Sequence, residues 1–474
     1  MSGGLRQLVL KGGAFLALRQ GLGMIISLGS VLFLVKAAGP ASYGVFTAAM
    51  AVFGVTQCFT QWGLSVFLVR QEGEERLETF HQAATLLAVL GTVGLITTVA
   101  AMPWIAGFNR LDGFAPVAVA VLASLPLALV TQVAIARLER QMRYKDIARI
   151  ELTGQLTYFV AALPLALTGH GAWAFVVGYW ANQVQSSLAY HRAARFVPRP
   201  TWHPAIVREM LDYGLAYSAS TWIWALRNLV NPMVVGRFAG AEAVGYVALA
   251  IRFVSILGFV KNAAWRISIA ALARVQHAPA RMTAAVSEGM RYQVLALGPI
   301  LTAFAIAAPW LIPALYGPHW LGVAAVFPWI ALGSLGHAAF QLHASALHVL
   351  RRNAEVSSFY ALHVLLFAGA AWYLVPRHGF LGYGWAEAIA LPGYWLLHLW
   401  TTRRIGRPAY GPTAVWLGAW TVPLFCWQHG AWAWLSVLVP LLWGPTRADL
   451  RRHLASGWRL VRARLAPAPP PGPS

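Results

Sequence analysis

Two segments of this sequence, separated by 201 residues, follow the same pattern. Lys36–Gly44 and Arg237–Gly245 each begin with a basic residue, carry a glycine three positions later and end on a glycine. Each segment lies between two long apolar runs. A second pair, His170-Gly171 and His378-Gly379, recurs with an offset of 208 residues. The sequence therefore indicates two related halves, an arrangement typical of membrane transporters in which one half rocks against the other.

The proportion of charged residues is too low for a soluble chain of 474 residues. Hydrophobic residues make up 58% of the chain and charged residues 11%, and the mean hydropathy is +0.59. A soluble protein of this length needs far more charge on its surface. Apolar runs of about 20 residues, the length that crosses a ~30 Å hydrocarbon core, recur throughout. We therefore predict an all-α polytopic membrane protein with about fourteen transmembrane helices.

The apolar runs give the positions of these helices. The predicted spans lie near residues 14–36, 44–69, 82–107, 115–136, 150–168, 172–191, 211–235, 244–265, 292–315, 322–348, 356–375, 381–402, 413–427 and 431–443. The start of the chain resembles a signal peptide, but Arg19 interrupts its apolar core and no small-residue cleavage site follows. We therefore predict an uncleaved first helix.

The basic residues predict the orientation of the chain. The segments on one side of the predicted spans hold 29 of the 36 lysines and arginines, and the loops on the other side hold four. Basic residues stay in the cytoplasm, so both termini are predicted to be cytoplasmic. If the last apolar stretch crossed the membrane once, the arginines from Arg447 onward would lie outside. We therefore predict two final crossings, which keep these arginines in the cytoplasm. The formal net charge of +21 is thus spread between spans, which argues against a nucleic-acid partner.

The sequence offers no set of catalytic or metal-binding residues. It contains no Walker motif, nucleophile elbow or pair of catalytic carboxylates. The longest predicted outer loop, 108–114, carries only Arg110 and Asp112 as charged residues. The span histidines His337, His343 and His348 fall on different helix faces, and the two cysteines lie in apolar runs. We therefore expect no enzyme activity, cofactor, metal or disulfide.

Three arginines within the predicted spans are the candidate functional residues. Arg19 lies six residues into the first span and Arg252 eight residues into the eighth, which is about 9 and 12 Å deep at ~1.5 Å per residue. Arg227 lies in the outer half of the seventh span. A charge in mid-membrane costs ~2.5–3.5 kcal/mol or more, so it normally faces a cavity or a partner. Each of these arginines could also reach the membrane interface and serve topology alone.

Two further polar residues accompany these arginines. Asn231 lies one turn after Arg227 on the same helix face, and Glu387 is the one carboxylate deep within a predicted span. Arginine binds phosphate oxygens bidentately and keeps its charge when desolvated, so this group of residues suits an anionic substrate such as a diphosphate. Glu387 could instead pair with one of the arginines or carry a coupling proton.

The residues of the repeat also resemble a known family. Gly39-Pro40 and Tyr43-Gly44-Val45-Phe46 match the first outer loop of the Wzx-type flippases, the polysaccharide-transport branch of the multidrug/oligosaccharidyl-lipid/polysaccharide exporter superfamily. Four further segments resemble motifs of that branch in the same order. They are 63–70 (the Gly-Leu-Ser-x-x-Leu-Val-Arg segment), 236–246, 271–274 and 316–320. The resemblance covers roughly residues 10–400.

The resemblance implies two pseudo-symmetric six-helix lobes around a central cavity. On this basis, residues 1–200 form the N-terminal lobe and 201–405 the C-terminal lobe. Residues 406–445 form two extra helices, and 446–474 form a basic cytoplasmic tail with a Pro-rich end. The implied cargo is an undecaprenyl-pyrophosphate-linked oligosaccharide, which crosses the bacterial inner membrane. The implied partners are membrane lipids and a polysaccharide polymerase with its assembly proteins.

Three other functions stay open from the sequence. A flippase for a peptidoglycan precursor of the lipid II type differs mainly in its substrate. A cation-coupled multidrug antiporter of the same superfamily needs an intramembrane carboxylate, and such residues are scarce here. A membrane glycosyltransferase or ligase needs a sizeable outer loop, which the predicted topology lacks.

Overall fold

The computed structural model of this protein describes residues 3–71, 75–427, 430, 432–448 and 450–451. The side chain of the candidate residue Arg19 lies outside this description, as does most of the predicted tail 446–474. The described residues form helices and no strand. The expected all-α class is therefore confirmed.

Nineteen α-helices follow one another in the described ranges. They are α1 (Gly3–Gln61), α2 (Leu64–Arg70), α3 (Leu77–Ala100), α4 (Met102–Asn109), α5 (Phe114–Leu122), α6 (Leu125–Arg140), α7 (Tyr144–Leu167), α8 (Ala172–Ala194), α9 (Pro204–Leu226), α10 (Gly236–Leu257), α11 (Phe259–Arg274), α12 (Pro279–Tyr316), α13 (Leu321–Val349), α14 (Asn353–His378), α15 (Leu381–Ala390), α16 (Tyr394–Ile405), α17 (Gly411–Cys426), α18 (Trp432–Leu435) and α19 (Val439–Leu442).

Eight segments of the described chain are long and apolar enough to cross a membrane. They are Leu32–Gln61, Leu77–Ala100, Phe114–Arg140, Tyr144–Leu167, Thr221–Leu257, Pro279–Tyr316, Pro318–Val349 and Asn353–His378. Six of them each overlap one predicted span, whereas Leu32–Gln61 and Thr221–Leu257 each extend over parts of two consecutive predicted spans. The number fourteen, including the two crossings after residue 411, stays a prediction.

The sequence repeat marks two equivalent breaks in the backbone. Helix α1 breaks at Gly39, with φ 77° and ψ 167°, and α10 breaks at Gly240, with φ 83° and ψ 179°. Only glycine adopts this region without strain, because a Cβ would clash with the backbone. Gly171 and Gly379, the second sequence pair, also share one conformation, with φ 54° and ψ −127° against φ 60° and ψ −146°. The structure thus confirms both repeats at the level of backbone angles.

The two repeated turns pack against each other. A Cβ added to Gly44 would overlap the carbonyl oxygen of Ala241, and one added to Gly245 would overlap that of Pro40. The offset of 201 residues relates these two contacts, so the pairing is reciprocal, as at a two-fold interface. Trp320, whose side chain is 1% exposed, lies beside this contact. Its ring centroid is 6.0 Å from that of Tyr43 and 6.1 Å from that of Tyr246.

The chain divides into two compact units, which do not coincide with its two halves. The first unit comprises residues 1–256, 308–330 and 352–396, and it contains the repeated turns. The second comprises residues 257–307, 331–351 and 397–474. The predicted lobes 1–200 and 201–405, the extra helices 406–445 and the tail 446–474 remain a prediction.

The second unit has its own apolar core and a polar cluster. Its core contains Leu272, Met282, Val286, Leu342, Ala346 and Ile405. The Tyr410 hydroxyl lies 2.8 Å from both His343 Nε2 and His398 Nδ1. Burial raises the pKa of the Tyr410 phenol, so it stays protonated and donates to one histidine while it accepts from the other.

The predicted cytoplasmic segment 266–291 is mostly helical in the structure. Helix α11 continues to Arg274, and α12 begins at Pro279 and runs for 38 residues. Proline suits the first turn of a helix because its missing N–H would have no helical partner there. The predicted spans end where charged residues begin, whereas the helices of the structure continue through those charged residues.

We expect Gly44→Leu and Gly245→Leu to destabilise the protein by about 1–3 kcal/mol or more, because each side chain must displace the backbone of the opposing turn. Thermal unfolding in detergent, followed by tryptophan fluorescence, measures this loss. Gly369→Leu is the control, since a Cβ at that helical position meets no atom within 4 Å. Equal melting temperatures for all three variants would contradict the reciprocal packing.

Candidate functional site

Arg227 and Glu387 form an ion pair inside the first unit. The Arg227 Nη2 donates to Glu387 Oε1, and the two side chains are 19% and 4% exposed. The two residues are 160 positions apart in the chain, at the end of α9 and within α15. The alternative in which Glu387 pairs with one of the arginines is therefore the arrangement that the structure contains.

Both partners lie next to interruptions in their helices. After α9, Arg227–Leu229 form a 3₁₀ turn and Asn231–Val235 form a π-helical turn around Pro232. After α15, Leu391–Gly393 form another 3₁₀ turn, around Pro392. Proline removes a backbone donor and crowds the preceding turn, so it breaks regular α-helix geometry at both places.

Asn231 bridges the π-helical turn to the neighbouring helix. Its Nδ2 donates to the carbonyl oxygen of Val244 at 3.2 Å, close to the repeated turn at Gly245. Its Oδ1 is buried and has no hydrogen-bond partner among the described residues. Asn231 thus connects the broken part of this span to the start of the next one.

Aromatic rings surround the Arg227–Glu387 pair. The guanidinium lies 4.6 Å from the ring centroid of Phe367 and 5.3 Å from that of Trp224. His363 stacks on Trp224 at 5.8 Å and its Nδ1–H donates to the Ala390 carbonyl oxygen at 3.2 Å. Such surroundings exclude water, and they strengthen both the ion pair and the cation–π contacts. The pair is therefore closed and locally neutral.

Arg252 has a different environment. Its side chain is exposed, and its electrostatic neighbours include the phenols of Tyr43, Tyr158 and Tyr316. These tyrosines come from three separate helices, α1, α7 and α12. Phenol groups donate hydrogen bonds, and an exposed guanidinium offers further donors in a planar fork. An anion placed here would meet a cation together with neutral donors.

The structure thus separates the predicted site residues. Arg227, Asn231 and Glu387 lie on neighbouring helix breaks, with Arg227 and Glu387 bonded to each other. Arg252 lies among tyrosines, and the side chain of Arg19 is outside the described residues. The contact of Arg227 with Phe367 was not predicted, because it joins residues more than 100 positions apart, whereas Trp224 lies three positions before Arg227.

A polar cavity of about 370 Å³ in the first unit was not predicted from the sequence. Its lining comprises Gly54, Gln57, Cys58, Gln61, Gly63, Ser65, Val66, Ser218 and Thr221. Gln57 and Gln61 are four residues apart within an apolar span, so they share one helix face. This pair of glutamines is the feature of the sequence from which a polar cavity could have been predicted.

Comparison with known proteins gives a match over most of the chain. A family model described as polysaccharide biosynthesis protein matches residues 34–325. The chain is 22% identical over 356 residues to the teichuronic acid biosynthesis protein TuaB of Bacillus subtilis, which covers 72% of each chain. It is 24% identical over 316 residues to the succinoglycan biosynthesis transport protein ExoT of Rhizobium meliloti, covering 65% of this chain and 61% of that protein.

Solved structures of two transporter types have the same fold. The lipid II flippase MurJ in an inward closed conformation superposes with a TM-score of 0.71 at 12% identity, covering 96% of this chain and all of that one. An inward-facing multidrug resistance MATE transporter of the MOP superfamily superposes with a TM-score of 0.63 at 16% identity, covering 81% of this chain and 94% of that one. At these identities the likeness establishes the fold.

We expect Glu387→Ala to destabilise the protein by about 3–5 kcal/mol, because it leaves the Arg227 charge buried without its partner. The double variant Arg227→Met/Glu387→Leu is expected to recover most of that loss, since apolar side chains of similar volume replace both charges. Thermal unfolding in detergent measures both effects. A double variant as unstable as the single one would show that the pair is not the source of the loss.

Proposed function

Since the chain belongs to the polysaccharide biosynthesis protein family, we propose that it is a flippase for undecaprenyl-pyrophosphate-linked oligosaccharide. In this proposal it carries the lipid-linked repeat unit from the cytoplasmic to the periplasmic leaflet of the bacterial inner membrane, with both termini in the cytoplasm. Family and fold both indicate a membrane transporter rather than an enzyme. The resemblance drawn from the sequence motifs is confirmed by the family match.

The environment of Arg252 is the observation that carries the proposed cargo. Arg252 is exposed within an apolar helix, where an anion can approach its guanidinium, and the tyrosines around it supply further donors. Guanidinium binds diphosphate oxygens bidentately, so Arg252 is our principal pyrophosphate ligand. Arg19, on the first helix, is proposed as the second.

Arg227 contributes to the site in a conditional way. Its guanidinium is bound to Glu387 and enclosed by rings, so an anion reaches it only after that pair opens. We propose that Arg227, Glu387 and Asn231 respond to the cargo at a later stage of the cycle. The alternative in which Glu387 carries a coupling proton requires the pair with Arg227 to open first.

Alternating access supplies the transport step. The reciprocal contact between the repeated turns closes one end of the path, and its loss would open that end. The backbone breaks at Gly39 and Gly240 allow the helix segments on either side to reorient. In the absence of a nucleotide-binding motif in the sequence, the drive is an ion gradient, the membrane potential or consumption of product by a polymerase outside.

Two other functions are alternatives to this proposal. A peptidoglycan precursor is the alternative cargo, because a lipid II flippase has the same fold. A cation-coupled antiporter would use Glu387 as its carboxylate, although that group is occupied by Arg227. A glycosyltransferase or ligase receives no support from the family or the fold.

We expect Arg252→Ala to reduce flipping of a fluorescent undecaprenyl-pyrophosphate oligosaccharide in proteoliposomes by about tenfold or more. The reason is the loss of a charge-assisted contact, worth ~1.5–3 kcal/mol. Arg252→Lys should retain part of the activity, because it keeps the charge and loses the bidentate geometry.

The control for this experiment is Arg377→Ala, which removes an exposed arginine that bonds to the Tyr373 carbonyl oxygen of its own helix. Full flipping by Arg252→Ala would remove Arg252 from the site. No flipping by the unaltered protein, with its glycan matched, would overturn the proposed cargo.

A further inference from the structure

The polar cavity in the first unit has walls from three helices and no charge. Its polar side chains are Gln57 and Gln61 on α1, Ser65 on α2, and Ser218 and Thr221 on α9. Its volume of about 370 Å³ falls within the ~300–1,000 Å³ range of small-molecule pockets. Because every lining side chain is neutral, this cavity offers nothing to compensate a diphosphate.

Several polar groups in the cavity lack protein partners. Within the described part of the chain, the side chains of Gln57, Ser218 and Thr221 make no hydrogen bond. Gln61 Nε2 donates to Ser65 Oγ at 3.2 Å, which leaves the Gln61 carbonyl oxygen available. An amide presents both donors and an acceptor, and a hydroxyl presents one donor and two lone pairs. The cavity therefore offers paired donors and acceptors to an uncharged ligand.

The walls of the cavity are held in place by contacts behind them. The Trp222 Nε1 donates to the Cys58 carbonyl oxygen at 2.9 Å, which joins α9 to α1. The Trp222 ring stacks on Phe59 with centroids 5.3 Å apart and meets the edge of Trp62 at 5.5 Å. Gly214 lies against the Trp62 carbonyl oxygen, where no Cβ would fit. The helices that carry the polar side chains of the cavity are thus packed firmly against each other.

The cavity and Arg252 lie at different depths along the repeat. Gln57 is thirteen residues after Gly44, whereas Arg252 is seven residues after the equivalent Gly245. The difference of six residues corresponds to about 9 Å along a helix axis at ~1.5 Å per residue. Since Gly44 and Gly245 meet at the reciprocal contact, Gln57 lies deeper than Arg252 when both are measured from that contact.

We propose that this cavity is the glycan-binding subsite, with Gln57, Gln61, Ser218 and Thr221 bonding to the hydroxyl groups of a sugar residue. The inference rests on the proposed flippase function. It assigns the sugar of the cargo to the cavity and the diphosphate to Arg252. Sugar hydroxyls both donate and accept hydrogen bonds, as the amides and hydroxyls of the cavity do. The diphosphate remains at Arg252, about 9 Å away along the helix axis.

Cys58 reports on occupancy of the cavity directly. It lines the cavity, and Cys426 is the second of two cysteines in the chain, so Cys426→Ser leaves a single thiol. We expect undecaprenyl-pyrophosphate oligosaccharide to slow modification of Cys58 by a methanethiosulfonate reagent by about fivefold or more. Sugar-free undecaprenyl pyrophosphate should not slow it. Equal protection by both lipids, or none by either, would overturn the glycan subsite.

Transport by cavity variants provides the second test. Gln57→Leu removes the amide, and Gly54→Leu fills the cavity from a position where a Cβ meets no atom within 4 Å. Both should reduce flipping of the oligosaccharide lipid by about five- to tenfold, the effect of one or two lost hydrogen bonds. Flipping of a lipid that carries a single sugar should fall less than twofold, whereas Arg252→Ala should reduce both.

The controls separate failure of the inference from failure of the proposed function. Gly369→Leu makes the same change at another open helical position and should flip normally. If the unaltered protein flips both lipids and the cavity variants match it, the glycan subsite is wrong and the flippase stands. If the unaltered protein flips neither lipid, the proposed function falls and the inference falls with it.

Discussion

In the hydrocarbon core of a membrane, a backbone group that leaves its helical hydrogen bond finds no water to replace it. The helices of this chain accordingly break at Gly39 and Gly240, which lie between predicted spans and carry no Cβ that would clash at positive φ. The absence of a Cβ has a second effect a few residues later, where Gly44 and Gly245 allow two backbones to meet. The missing Cβ of glycine thus explains both the breaks and the contact between the repeats.

The same constraint governs the charged side chains. Arg227 is desolvated, and it is stable there because Glu387 and the faces of Phe367 and Trp224 replace its hydration. Arg252 is exposed and shares its surroundings with phenols. Two arginines that occupy similar positions in the sequence therefore differ in their surroundings. Protein groups have replaced the water around Arg227, whereas Arg252 is exposed. The first is held by Glu387 and by aromatic rings, and the second is the proposed ligand of the anion.

Local patterns made much of the fold predictable. The offset of 201 residues located Gly39 and Gly240, and hydropathy located the eight apolar segments. The Arg227–Glu387 pair was one of several open alternatives, because no spacing rule connects residues 160 positions apart. The cavity was missed for another reason: the stripe of Gln57 and Gln61 is short, and its other wall comes from α9. Charged residues within the spans were predicted as candidates, whereas the neutral polar residues that line the cavity were not.

A carrier of a charged lipid with a neutral glycan must bind both parts and then release them. Binding has to be favourable enough for loading and weak enough for release, a requirement shared with channels. A neutral cavity meets that requirement for sugars, because each hydrogen bond replaces one with water and contributes only about 0.5–1.5 kcal/mol. An exposed arginine meets it for a diphosphate, since solvent screens the attraction. A buried, unpaired arginine would hold the anion too tightly, and Glu387 removes that risk at Arg227 by occupying its guanidinium.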